Sequence, residues 1–170
     1  MAIAIERSAV IRKLVPSKES LFAVLDGASV PKLPKRLKED AVPAISLLSD
    51  KPPADLAETG PWLVSLAPKT FGEWVIANWG SHWGVLATSA SPIESLVKHF
   101  RELVQARLPD GRTVYFRFYD PRVLRVFLPT CDAAQMDQVF GPVSQYLVED
   151  DGGAILRFTR GKPPLKAETL

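Results

Sequence analysis

In the first half of the chain, apolar residues come in short runs cut by proline. Pro31, Pro34, Pro43, Pro52, Pro53, Pro61 and Pro68 leave no room for a long helix, because proline removes an N–H donor and clashes inside one. The segments between them read as strands and loops. Residues 20–27 (SLFAVLDG) end in an Asp-Gly turn signal, and residues 44–48 (AISLL) and 62–66 (WLVSL) are similar runs. All three carry apolar residues at consecutive positions, the pattern of strands buried on both faces.

The period then lengthens. Residues 70–79 (TFGEWVIANW) predict a helix, with Thr70 and Glu73 as a capping box, Phe71, Trp74, Val75 and Trp79 on one face, and Gly80 as its end. Residues 82–88 predict a strand. Ser91-Pro-Ile-Glu94 predicts a helix start with an N-cap serine, and Ile93, Leu96, Val97, Phe100, Leu103 and Val104 form one stripe. Pro109-Asp-Gly111 predicts a turn. Residues 112–119 (RTVYFRFY) alternate, Val114, Phe116 and Phe118 on one face and Tyr115, Arg117 and Tyr119 on the other.

Asp120-Pro121 reads as N-cap and first helical residue, with Val123, Leu124, Phe127 and Leu128 inward until Pro129. A helix over 132–140 buries Met136, Val139 and Phe140 and ends at Gly141. Strands 145–149 and 154–158 flank Asp150-Asp-Gly-Gly153, a hairpin. The lysine-rich stretch 31–40 reads as a solvated loop or short surface helix. Together these elements predict an α/β (α+β) single domain with a mixed β-sheet flanked by helices. It divides into an N-terminal segment 1–19, the domain proper over 20–160, and a polar, frayed tail over 161–170.

Composition excludes several classes. At 46% apolar and 24% charged the chain is globular, and a chain of this size buries roughly two thirds of its unfolded surface. The net charge is only +2 and is spread evenly, unlike the basic stripe of a nucleic-acid binder. The single cysteine, Cys131, allows no internal disulfide and no cysteine-only metal site. No apolar run nears the about 18 residues that span a bilayer, and charges interrupt the first fifteen positions too often for a secretory segment. The expectation is a cytoplasmic protein with no nucleic-acid or membrane partner, no cofactor and no metal.

Three clusters carry candidate chemistry. Ser81 beside His82 suggests a hydrolase, but neighbours on a strand point to opposite faces, and the glycine spacing is not that of a nucleophile elbow. Asp26, Asp50 and Asp120 each follow a predicted strand; they suit acid–base work or, equally, turn and helix capping. Lys32, Lys35, Arg36 and Lys38 form the most basic stretch. The most unusual run is Arg117-Phe-Tyr-Asp-Pro-Arg122. Tyr115, Arg117, Tyr119, Arg122 and Arg125 have the composition of a partner-binding hot spot, while a guanidinium can equally pair with Asp120 or a loop acid. Trp62, Trp74, Trp79 and Trp83 read mostly as core. His99 reads as the edge of its helix.

The ordered runs Leu21-Phe-Ala-Val-Leu-Asp-Gly27, Leu47-Leu-Ser-Asp50, Gly60-Pro-Trp-Leu-Val64, Trp79-Gly-Ser-His-Trp-Gly84, Arg117-Phe-Tyr-Asp-Pro-Arg-Val-Leu124 and Phe140-Gly-Pro-Val143 carry a resemblance. Over about residues 20–160 the chain resembles the type VI secretion effector adaptor/chaperone family, itself catalogued as a domain of unknown function. The resemblance implies a cytosolic, non-enzymatic adaptor that binds a cognate effector and helps load it onto the secretion spike protein. Many relatives carry a helical C-terminal lobe. This chain stops at Leu170, and the resemblance therefore implies either a minimal member or a shortened one.

Overall fold

Strands that are apolar at consecutive positions need cover on both faces, and the helices supply it. A computed structural model describes residues 2–67, 69–108 and 110–170, with the backbone alone at residues 2–6, 69 and 70. Helix α1 (Ala2–Leu14) leads into strand β1 (Ser20–Asp26), helix α2 (Leu33–Glu39), strand β2 (Ala44–Ser46), helix α3 (Ala54–Thr59) and strand β3 (Pro61–Ser65). Helix α4 (Lys69–Ala77), strand β4 (Gly84–Ser89) and helix α5 (Ile93–Val104) follow, then the short strands β5 (Gln105–Arg107) and β6 (Thr113–Tyr115). Helices α6 (Pro121–Phe127) and α7 (Ala133–Phe140) precede strands β7 (Gln145–Glu149), β8 (Ile155–Thr159) and β9 (Glu168–Thr169).

Seven strands form one sheet in the order β2-β3-β1-β4-β7-β8-β9, with β1 and β4 at its centre. Alternate residues of each strand enter opposite layers. Phe22, Val24, Val85, Ala87, Tyr146 and Val148 pack with Leu96, Phe100, Leu124, Met136 and Phe140 of α5, α6 and α7. Ala23, Leu25, Val64, Leu86 and Leu147 pack on the other side with Ile11, Leu33, Leu37, Phe71 and Ile76 of α1, α2 and α4. The result is the expected single α+β domain with helices on both faces. Within it, every pairing is antiparallel, where a mixed sheet was expected. Each strand runs back along its neighbour, while α2 carries β1 to the parallel β2 and α4 carries β3 to the parallel β4, each crossing over one intervening strand.

Several expectations shift. The strand expected over 112–119 is only β6, paired with β5 in a separate ribbon. The chain turns after it, the Asp120 N–H donating to Arg117 O, and this turn buries Phe118 and Tyr119 together. In α6, Leu124 and Leu128 point inward, but Val123 faces solvent because the helix is short and turns one narrow face to the core. Pro129 lies inside a 3-10 turn, Leu128–Thr130, that continues α6. Helix α5 starts one residue later than expected, with Pro92 in the N-cap position and no side-chain cap. The tail does not fray among the described residues. Leu165 is buried, and β9 pairs with β8 through Leu156, Arg157 and the Arg157–Glu168 ion pair. The Thr70 side chain of the expected capping box, and Pro109 of the expected turn, lie outside the described residues.

Candidate functional site

Because β1 and β7 both run antiparallel to β4, the ends of β1 and β7 and the start of β4 meet at one end of the sheet. Two carboxylates close that end, Asp26 and Glu149, and both are buried. The 116–122 segment lies above them. Asp26 Oδ1 accepts the Ala28 N–H at 3.1 Å, and its Oδ2 accepts Ser29 Oγ at 3.1 Å and Arg117 Nη2 at 2.9 Å. Asp120 caps α6: its Oδ1 accepts the Arg122 N–H at 3.0 Å and Nε at 2.9 Å, and its Oδ2 accepts Nη2 at 2.8 Å. Burial works against ionising Asp120. The hydrogen bonds from Arg122 and the charges of Arg122 and Arg117 outweigh it and hold the carboxyl below its ordinary value.

The five partner-binding candidates are brought into one neighbourhood, and each arginine is held by an acceptor of the fold: Arg117 by Asp26, Arg122 by Asp120, and Arg125 by Glu149 O and Asp151. Burial opposes the Arg117 charge, yet Asp26, Tyr119 and Asp120 raise its pKa, and its guanidinium carbon lies 5.8 Å from the Tyr119 ring centroid. The Tyr119 phenol, raised by burial and by its hydrogen bond with Tyr115, lies 3.0 Å from the Tyr115 hydroxyl. Arg125 donates to Glu149 O at 3.2 Å and to Asp151 Oδ1 at 2.5 Å. Tyr115 is 52% exposed, and the Arg117 and Arg122 side chains are 47% and 55% exposed, while Tyr119 is buried and the Arg125 side chain is 15% exposed.

The hydrolase candidates do not assemble. Ser81 is exposed, and among the described residues no hydrogen bond joins it to His82. His82 instead sits at φ 53° with Nδ1 2.6 Å from Glu149 Oε1. Glu149 also accepts the backbone N–H groups of Gly80 and His82, so one buried carboxylate holds the whole 80–82 turn. Asp50 is exposed and pairs with Arg101 at 2.8 Å. His99 donates from Nε2 to Val139 O at 3.0 Å, and burial lowers its pKa. Among the described residues no three His, Cys, Asp or Glu side chains cluster as metal ligands. On α2, Lys35 and Arg36 face Glu39 and Asp40 at 3.7 and 3.4 Å, and Arg36 lies 3.9 Å over the Trp74 ring. The basic stretch is therefore interleaved with acids.

What the sequence reading missed lies beside Tyr115. The β5–β6 ribbon overhangs the ends of α5 and α6 and the side of α7, leaving an open groove of about 510 Å³. Ala106, Leu108, Val114 and Phe116 line the ribbon side. Leu103, Phe127 and Val139 form the floor, with Gln135 and Gln138 as one wall. Arg107 and Tyr115 stand at the rim. The apolar surface continues onto α6, where Val123 and Val126 are exposed. A signal was present: the Asp-Gly turn at 110–111 has an apolar arm on each side, but the upstream arm reads as the tail of α5.

Comparison with curated proteins and with solved structures finds no match. A family model matches residues 21–138, from β1 into α7 and so across the central strands, the Arg117–Arg122 run and most of the groove. The chain belongs to the family described as Domain of unknown function (DUF4123).

Proposed function

We propose that this chain is a non-enzymatic adaptor that holds a type VI secretion effector in the cytoplasm and helps load it onto the secretion spike protein. The observation that carries this reading is the apolar groove beside Tyr115, extended by Val123 and Val126. Contiguous exposed apolar surface of this kind marks a binding site, and a specific protein interface commonly centres on a few such anchors. The resemblance carried by residues 117–124 and 140–143 supplies the partner class. In this reading the Arg117–Asp26 and Arg122–Asp120 pairs are the frame that fixes α6 and the groove floor, and the effector meets Tyr115 and its apolar neighbours.

The alternative, a small hydrolase, draws no support from the geometry. Ser81 has no base within hydrogen-bond reach among the described residues, and Asp26 and Asp120 are committed to turn, cap and arginine partners. The test is co-expression with the effector encoded beside this chain. A stable complex that survives gel filtration supports the reading. Separate elution, together with ester or phosphoester turnover abolished by Ser81→Ala or Asp120→Ala, overturns it.

A further inference from the structure

The β5–β6 ribbon has a free edge facing partners that the fold does not provide. Its register pairs Gln105 with Tyr115, Ala106 with Val114 and Arg107 with Thr113. The Phe116 N–H donates to Val104 O, and the Leu108 N–H to Arg112 O. In an antiparallel pair hydrogen-bonded positions alternate, so the Ala106–Val114 pair lies inside the ladder and the N–H and C=O groups of Thr113 and Tyr115 point outward. Among the described residues nothing takes up those groups. Natural edges are usually blunted by charge or proline. This one instead carries Val114 and Tyr115, both exposed, above an apolar groove.

The groove has a charge signature as well. Arg107 is the one charged residue among those described in its lining, and among the described residues no acidic side chain pairs with it. A neutral apolar slot with a lone cation at its rim is complementary to an apolar segment that carries a carboxylate.

We propose that an extended polypeptide segment closes this groove by adding to the outer edge of β6. Its backbone pairs with Thr113 and Tyr115, every second side chain is apolar and enters the slot, and an acidic residue meets Arg107. Strand addition divides the work in this way: main-chain hydrogen bonds supply affinity, and pockets for alternate side chains supply specificity. The inference rests on the adaptor reading only in taking the occupant to be a polypeptide, and it specifies which part of an effector is held.

Phage-displayed random linear peptides selected on the full chain, with counter-selection on the Val114→Glu variant, test it. The expected winners alternate apolar residues and contain an aspartate or glutamate. Arg107→Glu should weaken the best of them about tenfold, and lysine in place of the peptide's acid should restore binding to that variant. Methylating alternate backbone nitrogens of the peptide should abolish binding, and bound peptide should slow amide exchange at Thr113 and Tyr115. Failure to enrich any sequence, winners with helical spacing, or undiminished binding of the methylated peptide each overturn the inference. The two proposals separate cleanly. If the neighbouring effector binds the parent chain and Arg107→Glu alike, the groove inference falls and the adaptor reading stands. If peptides bind as described and the effector does not, the adaptor reading falls.

Discussion

Removing the Glu149 carboxylate should release the 80–82 turn and destabilise the domain more than any surface change. Glu149 is 2% exposed. Its two oxygens accept the N–H groups of Gly80 and His82, and Oε1 lies 2.6 Å from His82 Nδ1. Glu149→Ala leaves two backbone donors without acceptors. Each such donor costs about 1–3 kcal/mol when it stays buried. Gly80 itself is exposed, so its N–H regains water if the turn swings out, which sets the expected total near 2–4 kcal/mol. For a domain of this length each kcal/mol moves the midpoint by about 2–4 °C, so the melting temperature should fall by at least several degrees. Glu149→Gln keeps one oxygen and should fall in between. Thermal unfolding followed by circular dichroism measures the loss, and hydrogen exchange should show the Gly80 and His82 amides losing protection first. A Glu149→Ala midpoint within about 1 °C of the parent would refute the claim that this carboxylate holds the turn.

Other outcomes follow from the same packing. Gly141 ends α7 at φ +47° and a Cβ there would overlap the His99 ring; Gly141→Ala should cost about 1–3 kcal/mol in urea unfolding. Asp120 has its folded pKa lowered below the ordinary 3.8. Its contribution is therefore complete above that ordinary value and is lost as pH falls through the lowered one. Asp120→Asn, which keeps a capping oxygen but gives up the charge, should lower stability at neutral pH and flatten the acid limb, so that the two proteins converge below the lowered value. Leu165, 7% exposed beside β8, should cost about 2–3 kcal/mol on truncation to alanine, whereas a fraying tail would leave the melting curve unmoved.

Elements whose burial is decided locally were legible in the sequence. Residues 20–26, 61–65 and 145–149 are apolar at consecutive positions, and no period other than that of a doubly covered strand fits them. Asp120-Pro121 and the apolar stripe of α5 likewise state their own structure. Residues 112–119 alternate as well as any strand, yet only three of them pair. Their ladder depends on β5, which the helical stripe of α5 disguises, and on Asp120 pulling the chain into a turn. The same limit applies to the site. The arginines and tyrosines between 115 and 125 were found by composition, but composition does not say that Asp26, far away in sequence, meets Arg117. Nor does it place Glu149 under Gly80 and His82. Those partners are joined only by the return of the sheet, and the groove exists only because a ribbon invisible in the periodicity overhangs it.

The most direct measurement of the proposed adaptor role is calorimetric titration of the purified chain with the N-terminal region of a candidate type VI secretion effector, repeated at several temperatures. Saturable binding with a negative heat-capacity change, as an apolar slot leaves water, and marked weakening by Val114→Glu are the predicted result. No heat of binding from the folded effector region, at concentrations where both proteins are soluble, would contradict the account.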